Sequence, residues 1–181
     1  MKKQIALIVL IGLTLGSCSL FNKGEKNDLP DGGFNLFTIQ QDRELGKQVS
    51  TEIESNSNEY PILDSASHVA AYRYIYDIRN TILTSGKVKH KDEFTWQIRI
   101  IEDDSILNAF CTPGGYIYVY TGIIKFLDNE AELAGVMGHE MAHADLRHST
   151  RQVTKLNGVQ VLVDVLAGER EAIKQITNRY S

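Results

Sequence analysis

The sequence predicts an α+β fold, mainly helical, with a small β-sheet next to one of its helices. Three observations carry that expectation. Apolar residues recur at helical spacing in three separate stretches, and the spacing switches to strict alternation between Phe94 and Ile101. The chain has 181 residues, 43% apolar and 23% charged, which is enough for one well-packed core and wrong for a disordered or polytopic membrane chain. Lys+Arg 19 against Asp+Glu 23 leaves a net charge of -4 with no basic run, so nucleic acid is not an expected partner.

The N-terminus reads as a leader. Lys2 and Lys3 precede an apolar run from Ile5 to Leu15, which is too short to span a bilayer, and Leu15-Gly16-Ser17-Cys18 follows. That order resembles a bacterial lipobox. It implies a lipoprotein signal peptide over 1–17, cleaved before Cys18, whose thiol and new amino group would carry acyl chains. Residues 18–33 are polar and rich in turn formers, as a tether would be. The remainder, 34–181, is the expected folded domain. The anchored protein would lie on the periplasmic side of a bacterial envelope membrane, the outer membrane by preference.

Within that domain, Thr38 with Gln41 three residues on forms a capping-box pattern, and Leu45, Val49 and Ile53 fall on one face of a helix over about 39–55. A second helix is expected from Asp64 or Ser65, carrying Val69, Tyr72, Tyr76 and Leu83. Phe94, Trp96, Ile98 and Ile100 alternate with Thr95, Gln97 and Arg99 in a half-buried strand. Two short strands follow near 106–110 and 116–120, joined by Thr112-Pro113-Gly114-Gly115, a loop suited to close approach by a ligand or another chain. Asn129, with Glu132 completing a box, starts a helix expected to run to about 147. Val153, Leu156, Val159, Val163 and Leu166 mark a further helix packed beside it.

The chemistry lies on the helix that Asn129 opens. His139-Glu140-Met141-Ala142-His143 is a His-Glu-x-x-His motif, whose histidines four residues apart share one helix face and whose glutamate stands beside them. Two neutral imidazoles in that arrangement hold Zn²⁺, and the carboxylate serves as general base towards water. The expected metal ligands are therefore His139 and His143, and the expected catalytic base is Glu140. The product would be a hydrolysed peptide bond.

The flanks narrow the reading. Asn108-Ala109-Phe110-Cys111-Thr112-Pro113-Gly114-Gly115-Tyr116-Ile117-Tyr118-Val119, then Thr121-Gly122-Ile123-Ile124 and Asn129-Glu130-Ala131-Glu132-Leu133-Ala134, resemble the HtpX/BepA-like zinc metallopeptidases, relatives of the CAAX prenyl proteases and the mitochondrial Oma-type enzymes. The resemblance runs from about Leu36 to Leu166 and is densest over Asn108 to His148. It implies a zincin-like domain with one Zn²⁺ and an edge strand at Asn108, Ala109 and Phe110 that pairs with extended substrate. It also implies an envelope role in degrading misfolded or unassembled proteins. Most such relatives carry a small or apolar residue at the position of Cys111, which points to packing for this thiol.

One part of the pattern is missing. The resemblance implies a third ligand from a later Glu-x-x-x-Asp, but four residues beyond Glu169 and Glu171 stand Ile173 and Gln175. His148 would lie about 140° round a continuing helix from His143, facing away unless the helix breaks, with capping the helix or supporting a ligand from behind the better fit. Leu146 stands where a metzincin-type turn needs glycine. Asp164 reads as solvated. The expectation is a chain that stops before its third ligand. Three functions stay open: a zinc endopeptidase, a protease-shaped lipoprotein that binds unfolded clients without cutting them, and a structural lipoprotein without cofactor.

Overall fold

The computed structural model describes residues 34–178, so the leader, Cys18 and the tether lie outside the described residues. Helix α1 spans Ile39–Ser55, α2 spans Val69–Thr84, strand β1 spans Gln97–Ile101 and β2 spans Ala109–Thr112. A 3-10 turn at Pro113–Gly115 leads into β3, Tyr116–Tyr120. Helices α3 (Thr121–Phe126), α4 (Glu130–Asp145), α5 (His148–Leu166) and α6 (Arg170–Thr177) complete the order. Among these described residues, no helix is long and apolar enough to cross a membrane.

The sheet runs β1-β3-β2, with β1 parallel and β2 antiparallel to the central β3. Alternation along β3 divides the interior into two cores. Ile117 and Val119 join Ile98, Ile100, Ala109 and Cys111 in a cluster with α2 and α4. Tyr116, Tyr118 and Tyr120 point the other way, with Phe110 and Ile101, against α1, α5 and α6. Every residue of β3 is buried. A strand covered on both faces cannot afford a polar side, and Tyr-Ile-Tyr-Val-Tyr has none except hydroxyls; that of Tyr118 donates to Ser50 Oγ at 3.0 Å.

The capping box forms as expected: the Thr38 side chain accepts from the Gln41 N–H while Gln41 Oε1 accepts from the Thr38 N–H. Phe94, Trp96, Ile98 and Ile100 are all buried in one cluster, though the strand begins only at Gln97 because Trp96 takes a left-handed φ of 47°. Four expectations are corrected. Helix α2 starts at Val69, since the Asp64 carboxylate holds a separate turn by accepting from the Ser67 N–H at 2.9 Å and the Ser67 hydroxyl at 2.6 Å. Strand β2 occupies 109–112, later than 106–110. The helix expected to reach 147 ends at Asp145. On α5, Val153 and Val165 are buried but Val159 and Val163 are 63% and 52% exposed, because the latter pair sits on a different arc of the helix from the face that meets the core.

The Pro-Gly-Gly loop packs within its own chain. Gly114 and Gly115 have φ of 72° and 87°, and a Cβ on Gly115 would meet the Trp96 backbone nitrogen at 2.9 Å. Helix α1 crosses directly above, at Gly46.

Candidate metal centre

Helix α4 is assembled so that one arc seals a core and the adjacent arc carries the chemistry. Asn129 caps it, its side chain accepting from the Glu132 N–H at 3.1 Å, while Glu132 Oε2 accepts from the Asp128 N–H at 3.0 Å. Leu133, Met137, Met141 and Ala144 form the buried stripe. Successive residues turn about 100°, so His139 and His143 fall on the outer side and Glu140 falls on the boundary between them and the stripe.

That placement sets the electrostatics. Burial at the edge of the core pushes the Glu140 carboxyl up to about 7. The His143 imidazole is held below its ordinary value by burial first, then by its neighbours His139 and His148. A neutral imidazole keeps one ring nitrogen unprotonated, and that is the form that binds a metal. His143 Nε2 stands 3.0 Å from His139 Nε2, so the two expected ligands converge.

His148 meets the condition under which the sequence lets it approach, a broken helix. Instead of facing away, it comes back onto the motif: its Nδ1 lies 2.6 Å from His143 Nδ1. The cause is a break in the helix. Leu146 caps α4 after Asp145, Arg147 takes the left-handed conformation at φ 58° and ψ 37°, and α5 starts afresh at His148. Arg147 donates from Nε to the buried Asp42 carboxylate and from Nη2 to the Phe37 carbonyl, both at the start of α1. Burial raises the Asp42 carboxyl, and the Arg147 guanidinium opposes that rise.

Asp145, the last residue of α4, anchors the same corner. Its carboxylate accepts from the Lys89 N–H at 3.0 Å and the His90 N–H at 2.8 Å. Sequence reasoning did not single out Asp42, Asp145 or Arg147. An acidic residue two positions beyond the second motif histidine was the available signal for Asp145; for the other two there was none, since their partnership joins residues 105 apart.

Strand β2 pairs only with β3 among the described residues, leaving its other edge without a strand neighbour. Asn108 is exposed and precedes the strand, its carbonyl accepting from the Tyr120 N–H at 3.1 Å. Ala109 is buried, and Phe110 is committed to the core, stacked on Tyr118 with centroids 4.7 Å apart. Of the three, only Ala109 turns its backbone to the open edge: the Asn108 carbonyl bonds to β3, and by antiparallel alternation Phe110, opposite Tyr118, faces β3 as well. Cys111 is buried beneath α4; burial, and next the charge of Glu140, push its thiol well above the usual range, so it packs and does not react.

The residues fit a metal in donor chemistry, with two convergent imidazole nitrogens. They do not supply a full set: among the described residues, no group of three or more His, Cys, Asp and Glu side chains is placed to hold an ion. Glu169 and Glu171 are exposed, the latter 3.7 Å from Lys174 Nζ, and Asp164 accepts from Gln160 at 2.7 Å. His148 contacts His143 on the side of the ring opposite His139, which removes it as a third ligand to an ion shared by those two.

A His-Glu-x-x-His helix laid against one face of a small mixed sheet defines a zincin-like metallopeptidase domain. The profile of Peptidase family M48 matches residues 70–179, and the chain belongs to that family. It is 39% identical over 66 residues to the mitochondrial metalloendopeptidase OMA1 of Arabidopsis thaliana, covering 36% of this chain and 13% of that protein. It is 26% identical over 145 residues to OMA1 of Schizosaccharomyces pombe, covering 80% and 41%. The beta-barrel assembly-enhancing protease of Escherichia coli K12 is 24% identical over 155 residues, covering 83% and 30%. The chain thus spans less than half the length of these relatives.

Proposed function

We propose that this chain carries the core of a zinc-dependent metalloendopeptidase that hydrolyses misfolded or unassembled proteins in the bacterial envelope. The observation that carries the reading is the convergence of His139 Nε2 and His143 Nε2, 3.0 Å apart, with Glu140 beside them at the rim of the core.

Zinc, when bound, supplies a Lewis acid that polarises the peptide carbonyl and makes water acidic enough to lose a proton near neutral pH. His139 and His143 would hold it. Glu140 takes the proton from the attacking water and returns it to the leaving amine; a carboxyl poised near 7 suits both directions of transfer. The open edge of β2, presented within the stretch Asn108, Ala109 and Phe110 by the backbone of Ala109, receives the substrate as an added strand. That geometry favours unfolded clients, since only an extended segment offers its amides to an edge. Membership of Peptidase family M48 and metalloendopeptidase relatives support the activity. The lipobox-like Leu15-Gly16-Ser17-Cys18, together with the bacterial relative named for β-barrel assembly, supports the envelope location and anchoring through Cys18.

The test is cleavage of an unfolded polypeptide such as reduced casein by the full chain with zinc. Wild-type activity abolished by chelator and by Glu140→Gln supports the reading. Equal, chelator-insensitive cleavage by both forms, or none by wild type with zinc bound, overturns it.

A further inference from the structure

We propose that His148 is a positioning residue for the metal site: its Nδ1 accepts a hydrogen bond from the Nδ1–H of His143, so that the Nε2 of His143 is left to face His139 and an ion held between them. The inference rests on the reading of His139 and His143 as metal ligands, and it adds a role that neither the motif nor the family match assigns.

The argument begins with the ring between the other two. His143 meets His139 through Nε2 and His148 through Nδ1, at 3.0 and 2.6 Å. The two nitrogens of an imidazole point to opposite sides, and the neutral ring carries one proton. A nitrogen–nitrogen contact of 2.6 Å needs a hydrogen between the atoms, donated by one side or the other. If His148 donates, the single proton of neutral His143 sits on Nε2 and blocks the metal side. If His143 donates, Nε2 is bare and aimed at its companion ligand. An ion on His143 Nε2 requires the second arrangement, and without the ion the His139 Nε2–H fills the 3.0 Å contact until zinc displaces it. Ligating histidines commonly give their other N–H to a carboxylate or carbonyl, which fixes both tautomer and ring orientation. Here the acceptor is another imidazole.

This contact does not arise from helical spacing. On an unbroken helix, His148 would stand about 140° away from His143. The left-handed Arg147 brings it back, a conformation that side chains other than glycine and asparagine seldom take. Arg147 is held there from a distant part of the chain, by the carboxylate of Asp42 and the carbonyl of Phe37. The Asp42–Arg147 pair is therefore part of the same device: it fixes the break, the break fixes His148, and His148 fixes the ring of His143.

The experiment measures zinc affinity of the full chain by competition with a chromophoric chelator, alongside the tautomer of His143 by nitrogen-15 correlation spectroscopy of the metal-free protein. Wild type should bind zinc, His139→Ala should not, and His143 should carry its proton on Nδ1. His148→Leu should weaken zinc binding about 10- to 100-fold and shift His143 towards a mixture of tautomers. His148→Asn, whose side-chain oxygen can accept at the same place, should recover most of the affinity. Arg147→Gly, which permits the break but removes the clamp, should fall between. Zinc binding that survives His139→Ala defeats the metal-site reading itself. Binding that depends on His139 but is equal in His148→Leu and wild type defeats the positioning role alone. Should the leucine variant not fold, a wild-type His143 protonated on Nε2 is enough to overturn the proposal.

Discussion

A Cβ atom on Gly46 would fall 1.8 Å from the carbonyl oxygen of Pro113. Helix α1 therefore touches the Pro-Gly-Gly turn backbone to backbone, and the turn in turn joins β2 to β3 behind the motif helix. Real Cβ contacts do not approach so near, and the obstacle is main chain, which cannot rotate away. Gly46→Ala should lower stability by about 1 to 3 kcal/mol through displacement of α1, the range seen when a packed site is overfilled. Urea denaturation of the metal-free protein measures it, and an unchanged midpoint would contradict the contact.

Removing either member of the Asp42–Arg147 pair leaves a charge without its partner. Asp42 is 1% exposed. Breaking a buried pair costs about 3 to 5 kcal/mol, most of it from the stranded ion. Arg147→Ala should accordingly cost more than Asp42→Asn, which keeps an oxygen to accept from the guanidinium. Thermal unfolding of both variants and of the double variant checks this, with the double variant expected to be less damaged than the two losses added.

Glu140 gives a pH signature. Its folded-state value of about 7 exceeds the ordinary carboxyl value of 4.5, so between those limits the folded protein binds more protons than the unfolded one. The group's unfavourable contribution is absent at acid pH, grows as pH rises through that window and is complete above 7. Glu140→Gln removes it. The stability of that variant relative to wild type should climb from pH 4.5 to 7 and then level off, in metal-free protein.

His143 and His148 work in the opposite sense. Both are held below the ordinary imidazole value of 6.5, chiefly by burial. Below that pH the unfolded chain takes up protons that the folded chain resists, so stability falls as pH drops. In the Glu140→Gln background, where the carboxyl no longer masks it, metal-free protein should become steadily easier to unfold below pH 6.5. A double change to His143→Asn and His148→Asn should flatten that slope.

Much of this was readable from local pattern. The Thr38 and Gln41 box lies within one turn, the Tyr-Ile-Tyr-Val-Tyr alternation within one strand, and His139, Glu140 and His143 within one helix; each is decided by near neighbours. The misreadings share a different origin. Nothing in Leu146-Arg147-His148 spells a helix end, because the usual glycine or asparagine is missing and the stabilising partner is Asp42, far away in sequence. The start of α2 was misplaced because Asp64 caps a turn and a helix with the same chemistry. Phe110 could be foreseen at the edge strand but not its stacking on Tyr118, which depends on the antiparallel register of β2 and β3.

The carboxylate of Asp145 closes the motif helix by gripping two main-chain amides, those of Lys89 and His90, in the segment ahead of β1. Those two protons thereby become a gauge of the helix end. Their exchange with deuterium should slow when the histidines are loaded with ion and quicken when α4 frays, giving a readout of site integrity from a segment outside the motif.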